Sequence, residues 1–332
     1  MQAIVLNGVG QALVPVVLDG PTERPGGERV TITACGVCHS DLHVVDGDYP
    51  VSFPRILGHE IVGIHDRLGP VIVYAPWGCR QDDCPQCSSG QEMICPNSSE
   101  VGLVVDGGYA EEIVVASEDY LVPLGGLNPI HAAPLACGGL TAYRATKKAL
   151  AHLGHEGSRV CVIGAGGLGQ YAIQYLSLLS KAEITVVDTS AEKRATALEL
   201  GAGRACSLDE LEGPYDAIID FVGADATLAA ASSTVARQGL VVVVGLFGGR
   251  VPFGLGAQAN EASLTTSIWG TLEELHELIE LANAHDLKSP IETLALSQAQ
   301  EAHDRLRRGT VAGRVVLVPD ALVSSSFSRL LD

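Results

Sequence analysis

The chain has 332 residues, with 39 Asp and Glu against 21 Lys and Arg and a formal net charge of −18. That length accommodates two domains with substantial cores, and the acidity argues against nucleic acid, whose phosphates require a basic face. No run approaches the roughly 18 apolar residues of a membrane span. Met1 to Leu13 lacks the charged start and long apolar stretch of a secretory signal. The expectation is a cytoplasmic protein with no membrane partner, in which nine cysteines, an odd number, serve as metal ligands or free thiols rather than a disulfide framework.

Up to about residue 138 the chain is rich in Gly, Pro and short β-like runs, namely Arg29 to Ala34, Ile61 to Ile64 and Val71 to Tyr74. This punctuation predicts an irregular, mostly β domain. Cys38 lies in Cys35-Gly36-Val37-Cys38-His39-Ser40-Asp41, His59 and Glu60 follow Gly58, and Cys137 comes late. Taken singly, Cys38 reads as a buried thiol, His59 as a core or surface histidine and Glu60 as a solvated charge. Taken together they read as ligands of one catalytic zinc, which accepts thiolate and imidazole and leaves one position open as a Lewis acid.

Cys79, Cys84, Cys87 and Cys95 form a second group, punctuated by Gly78, Pro85 and Gly90. Four thiolates around a closed tetrahedral zinc would pin such a loop; the alternative is a set of free thiols.

From about Thr141 apolar strands and helices alternate. Strands are predicted at Arg159 to Ile163, Glu183 to Val187, Ala217 to Phe221 and Leu240 to Val244, with helices at Leu168 to Leu179 and Ala191 to Leu200. The alternation implies βαβ units and a parallel sheet. Gly164-Ala165-Gly166-Gly167-Leu168-Gly169 sits between the first strand and first helix, where glycines permit a tight turn, an approaching pyrophosphate and close helix packing. Asp188, ending the next strand, would accept hydrogen bonds from ribose hydroxyls and repel a 2′-phosphate, favouring NAD over NADP. The alternative is a glycine-rich turn beside a surface aspartate. Thr271 to Ala284 and Gln298 to Arg308 read as amphipathic helices, Val315 to Val318 as a closing strand, and Ala321 to Asp332 as a Ser-rich tail. Tyr74 and Trp269 could line an apolar substrate pocket or be core aromatics.

These motifs, with Pro76-Trp77-Gly78-Cys79, Cys137-Gly138-Gly139-Leu140-Thr141 and Ile268-Trp269-Gly270-Thr271, together resemble the zinc-dependent medium-chain alcohol dehydrogenases from the N-terminus to about Pro319. Within that family the bacterial NAD-dependent secondary-alcohol dehydrogenases are most similar. The resemblance implies an α/β protein in which a Rossmann doubly wound parallel sheet, residues 139–270, is inserted in a mostly β, GroES-like catalytic domain, residues 1–138 completed by 271–332. It implies reversible oxidation of primary or secondary alcohols to aldehydes or ketones, with zinc and NAD, by a homodimer or homotetramer.

Residue by residue, Cys38, His59 and Cys137 match the catalytic zinc ligands and Glu60 a carboxylate beside the metal. Asp41 matches an acid orienting the histidine, Ser40 the hydroxyl that takes the alcohol proton, and His43 the end of a proton relay. Thr141 matches a residue beside the nicotinamide and Arg314 a pyrophosphate-binding arginine.

The chain also departs from the pattern. Cys79 and Cys84 are separated by Arg80-Gln81-Asp82-Asp83 where the family has two residues, the stretch from Glu60 to Tyr74 is short, and His39 stands where some relatives carry a phosphate-binding arginine. Two competing readings are a zinc-independent quinone or enoyl reductase on the same fold, and a non-catalytic nucleotide-binding protein whose zinc is closed by a fourth protein ligand.

Overall fold

The computed structural model describes residues 1–246 and 248–324, so the tail from 325 onward lies outside the described residues. They divide into two compact units. One comprises Met1–Leu140, Gly270–Asp286 and the described residues from Pro290 onward; the other comprises Thr141–Trp269 with Leu287–Ser289.

The second unit is a sheet of six parallel strands. Across it they run Arg204–Cys206, Glu183–Val187, Arg159–Ile163, Tyr215–Asp220, Val235–Val243 and Ser263–Thr266. In chain order this is the doubly wound Rossmann arrangement, which reverses direction beside its first strand. Alternate residues of the apolar strands enter separate cores. Val160 and Val162 join Ile173 and Leu176 of the helix Gly167–Leu179 on one face, while Cys161 and Ile163 join Ala231 on the other. Burial on both faces explains why these strands read as near-continuous apolar runs. The two outermost strands escaped prediction because one is three residues long and the other is Ser-Leu-Thr-Thr, too short or too polar to carry that signal.

The first unit is organised around the long strand Glu28–Val37, which pairs antiparallel with Glu60–His65, Glu112–Val115 and Arg314–Val318. The register sets Gly36 opposite Glu60 and Val37 opposite Val315. The end of one strand and the starts of its two neighbours therefore meet at one edge of the sheet, which brings Cys38, Glu60 and Arg314 together from three distant parts of the chain. The strands Glu60–His65 and Gly69–Val73 form a hairpin paired His65 to Gly69, so the shortened stretch is closed by residues 66–68. The helices Leu272–Ala284 and Ala299–Arg307 belong to this unit. The first begins with a reciprocal cap in which Thr271 Oγ1 accepts the Glu274 N–H at 3.0 Å and Glu274 Oε2 accepts the Thr271 N–H at 2.8 Å.

Candidate active site

The helix His39–Asp46 starts immediately after Cys38. Asp41, on its first turn, accepts the Cys38 backbone N–H on Oδ2 at 2.9 Å, closing the helix start and placing an anion at its positive end. The other oxygen, Oδ1, lies 3.4 Å from His59 Nδ1 and accepts the Gly58 N–H at 3.4 Å. Asp41, His59 and Glu60 are all completely buried. Gly58 has φ +90°, and a Cβ there would lie 2.4 Å from the Tyr109 ring and 2.8 Å from Cys35 Sγ. Only glycine lets the chain turn His59 inward at this point.

Cys38, His59, Glu60 and Cys137 each present one donor atom, and these atoms lie within 4.8 Å of one another in buried surroundings. Glu60 Oε1 accepts the Gly138 N–H at 3.1 Å and pairs with Arg314 Nη2. Its Oε2 is buried with no hydrogen bond among the described residues. Two thiols, an imidazole and an orphaned carboxylate oxygen make a donor set suited to zinc. With Nδ1 facing Asp41, Nε2 is the His59 nitrogen that a metal would take.

The protonation pattern fits. Burial opposes ionisation of Asp41, but the His59 charge and hydrogen bond hold its carboxyl below the ordinary range. Burial opposes protonation of His59, but Asp41 and Cys38 raise its pKa well above the usual imidazole value. Cys38 and Cys137 share a proton unequally: the hydrogen bond from Cys137 and the charge of His59 hold Cys38 low, and the same bond pushes Cys137 up. Burial pushes Glu60 up to about 7 against the pull of Arg314. The held protons are those a divalent cation would displace on binding.

The remaining predicted catalytic residues lie on the same short helix. Ser40 Oγ is 3.7 Å from Cys38 Sγ, and His43 Nδ1 is 2.8 Å from Asp48 Oδ2. His39 is exposed.

The second sulfur set is also assembled. Cys79, Cys84, Cys87 and Cys95 bring their sulfurs within 4.8 Å of one another, with Cys79 3.7 Å from Cys87 and Cys84 3.8 Å from Cys95. A tetrahedron with metal–sulfur bonds of about 2.3 Å has edges of about 3.8 Å, so the spacing suits a closed zinc site. Within the long Cys79 to Cys84 connection Arg80 takes a left-handed φ of +56°.

In the other unit Gly164 has φ +94°, and a Cβ on Gly169 would lie 1.9 Å from the Gly164 carbonyl oxygen. Gly166 precedes the helix Gly167–Leu179, in which Leu168 follows. Asp188 reaches this turn through Oδ2, which accepts the Ala165 N–H at 2.8 Å, while Oδ1 accepts the Ser190 N–H at the start of the next helix, also at 2.8 Å. Thr141 and Trp269 are both buried in this unit, Trp269 with φ +49°.

One expectation is corrected. Tyr74 lines no open pocket: it is fully buried, its hydroxyl donates to the Gly270 carbonyl at 2.8 Å and its ring lies 6.0 Å from that of Tyr120. It is a core residue. Two residues of the site escaped the sequence reading. Tyr109 donates to Asp41 Oδ2 at 2.9 Å, and His303 Nε2 lies 3.1 Å from the Tyr109 hydroxyl. The available signal was the place of His303 on the apolar stripe 299, 302, 303 and 306 of its helix.

The fold and the two sulfur-rich sets define a zinc-binding dehydrogenase. Residues 24–126 match the alcohol dehydrogenase GroES-like domain and residues 167–284 the zinc-binding dehydrogenase domain. An alcohol dehydrogenase of Geobacillus stearothermophilus is 35% identical over 96% of this chain and 98% of its own length. An NAD-dependent alcohol dehydrogenase of Sulfolobus acidocaldarius is 34% identical over 96% and 99%. The crystal structure of the alcohol dehydrogenase of Aeropyrum pernix superposes with a TM-score of 0.86 at 31% identity, covering 96% of this chain and 100% of that one. The chain belongs to the zinc-type alcohol dehydrogenases of the medium-chain dehydrogenase/reductase superfamily.

Proposed function

We propose that this enzyme interconverts primary or secondary alcohols and the corresponding aldehydes or ketones at a zinc held by Cys38, His59 and Cys137, with NAD as redox partner. The observation that carries the assignment is the buried convergence of two thiols, an imidazole and a carboxylate within 4.8 Å. A metal-free reductase has no need of that set. When bound, zinc supplies Lewis-acid polarisation of the substrate oxygen and NAD supplies the hydride acceptor.

The residues of the chain do the rest. Asp41 fixes the orientation and tautomer of His59. Ser40 takes the hydroxyl proton of the alcohol, and His43, beside Asp48, passes it toward solvent. Arg314 neutralises Glu60, which keeps Oε2 in reserve as a transient ligand; the role of Arg314 toward the pyrophosphate extends this reading. Gly164, Gly166, Gly167, Leu168 and Gly169 offer the backbone turn and helix start for the pyrophosphate, Asp188 the ribose acceptor, and Thr141 and Trp269 surfaces for nicotinamide and substrate. Cys79, Cys84, Cys87 and Cys95 hold a structural zinc.

The substrate is a small molecule. Among the described residues no helix is long and apolar enough to cross a membrane. A cytoplasmic homodimer or homotetramer completes the proposal.

Cys38→Ser tests it. Zinc content should fall by one equivalent per chain and turnover of an alcohol panel should collapse, while NAD still quenches protein fluorescence. Full activity in that variant would refute the ligand assignment.

A further inference from the structure

The hydrogen bonding around Asp41 does not stop at the histidine it orients. Asp41 Oδ2 accepts from the Tyr109 hydroxyl at 2.9 Å, and the same hydroxyl lies 3.1 Å from His303 Nε2. Asp41 and Tyr109 are completely buried and His303 nearly so. Their order dictates the protons. A carboxylate that accepts the Cys38 N–H and faces His59 Nδ1 is an acceptor only, so the single phenolic proton points to Asp41. The phenol oxygen then has only lone pairs for His303, which must carry its proton on Nε2 and donate. The Tyr109 and His303 rings meet edge to face, with centroids 5.8 Å apart, so neither can rotate away without losing packing as well.

His303 sits on the helix Ala299–Arg307. Four residues along, Arg307 forms two hydrogen bonds, at 2.9 and 2.8 Å, with Asp46 at the end of the helix that carries Ser40 and Asp41. The two helices are thus joined at a buried point near the start of the Asp41 helix and at an exposed point at its end.

We infer that Tyr109 and His303 are positioning residues for the catalytic metal, a directed chain His303→Tyr109→Asp41 that locks the carboxylate on which His59 depends. The inference rests on the assignment of Cys38, His59 and Cys137 as zinc ligands. Outer partners of metal-bound histidines commonly change metal affinity by about ten- to a hundredfold, and this chain places two such partners one behind the other. Tyr109 acts directly on the Asp41 oxygen; His303 acts by keeping the phenolic proton aimed at it.

The test is zinc release from the fully loaded protein into excess chromogenic chelator, followed as two phases. Wild type should release two equivalents, with the catalytic phase identified as the one missing from Cys38→Ser. Tyr109→Phe and His303→Phe should each accelerate that phase about tenfold and leave the other unchanged. His303→Gln, whose amide can donate from a similar position, should restore the rate to within about threefold of wild type. Cobalt substituted at the catalytic position should show a shifted visible spectrum in the two phenylalanine variants and not in His303→Gln. Two equivalents in wild type with unaltered release and spectra in both phenylalanine variants would overturn this inference alone. A wild type with no phase lost in Cys38→Ser would overturn the ligand assignment beneath it. Equal acceleration of both phases would show general loosening of the fold and would likewise overturn the inference.

Discussion

Arg314 and Glu60, 254 positions apart in sequence, form an ion pair in which neither partner has more than 5% of its side chain exposed. The same Glu60 oxygen also accepts the Gly138 N–H. One carboxylate thus ties two strand starts to the segment that delivers Cys137. Removing only the cation leaves a buried carboxylate uncompensated, which typically costs about 3–5 kcal/mol, whereas removing both charges is far milder. Arg314→Met should therefore lower the unfolding free energy by about that amount, and Glu60→Gln/Arg314→Met should recover much of it. Urea unfolding of the zinc-loaded wild type, Glu60→Gln, Arg314→Met and the double variant measures the cycle. Strict additivity would show that the pair is not coupled.

Asp188 has two duties that can be separated. It accepts the Ala165 N–H of the glycine turn and the Ser190 N–H at the start of the next helix, and in the proposed function its charge meets the adenosine ribose. Hydrogen bonds to a charged group contribute about 1.5–3 kcal/mol, so Asp188→Ala should raise KM for NAD by roughly ten- to a hundredfold and narrow the preference over NADP. Steady-state kinetics with both dinucleotides decides the matter. An unchanged NAD/NADP ratio would remove Asp188 from the ribose contact.

Local pattern carried a good deal of this molecule and long-range geometry carried the rest. Arg159–Ile163 and Glu183–Val187 were legible to the residue because buried parallel strands are uniformly apolar. His59 and Glu60 were legible because they are adjacent and follow a glycine. The Tyr109–His303 bond was not, because it spans 194 positions and nothing in Gly107-Gly108-Tyr109 states where the hydroxyl will point. Tyr74 was ambiguous for the same reason: a tyrosine after an apolar strand suits a pocket or a core equally, and only the Gly270 carbonyl, supplied by a distant segment, separates the two.

The Arg307–Asp46 pair provides a pH test. Its hydrogen bond from Arg307 holds the Asp46 carboxyl below the ordinary range. A depressed carboxyl pKa stabilises the folded state above the unfolded value, near 3.9, and that contribution is lost as pH falls through the folded value. Both side chains are more than 40% exposed, so solvent screening limits the effect to about 1 kcal/mol or less. Arg307→Ala should cost a few tenths to about 1 kcal/mol at pH 7, with the difference from wild type shrinking below about pH 4. Urea melts at both pH values, and at low and high salt, check the sign. A difference that grew with acidity would contradict the pairing.

Gly58→Ala probes the backbone that aims His59. A left-handed φ of +90° is strained for any residue with a Cβ, and here that atom would also lie 2.4 Å from the Tyr109 ring. Tyr109 could yield only by giving up its bond to Asp41, and the chain could yield only by rotating His59. Either response disturbs the imidazole. Strain of this kind costs about 1–3 kcal/mol, a loss the fold should survive, because the damage falls on one strand start rather than on the core of either unit. The expected product is a folded protein with one zinc per chain, held by the cysteine lobe, and turnover reduced by about ten- to a hundredfold, the scale seen when an orienting partner of a metal ligand is lost. Metal analysis together with circular dichroism separates this from unfolding. Two zinc equivalents and ordinary activity would mean that His59 does not depend on the turn before it.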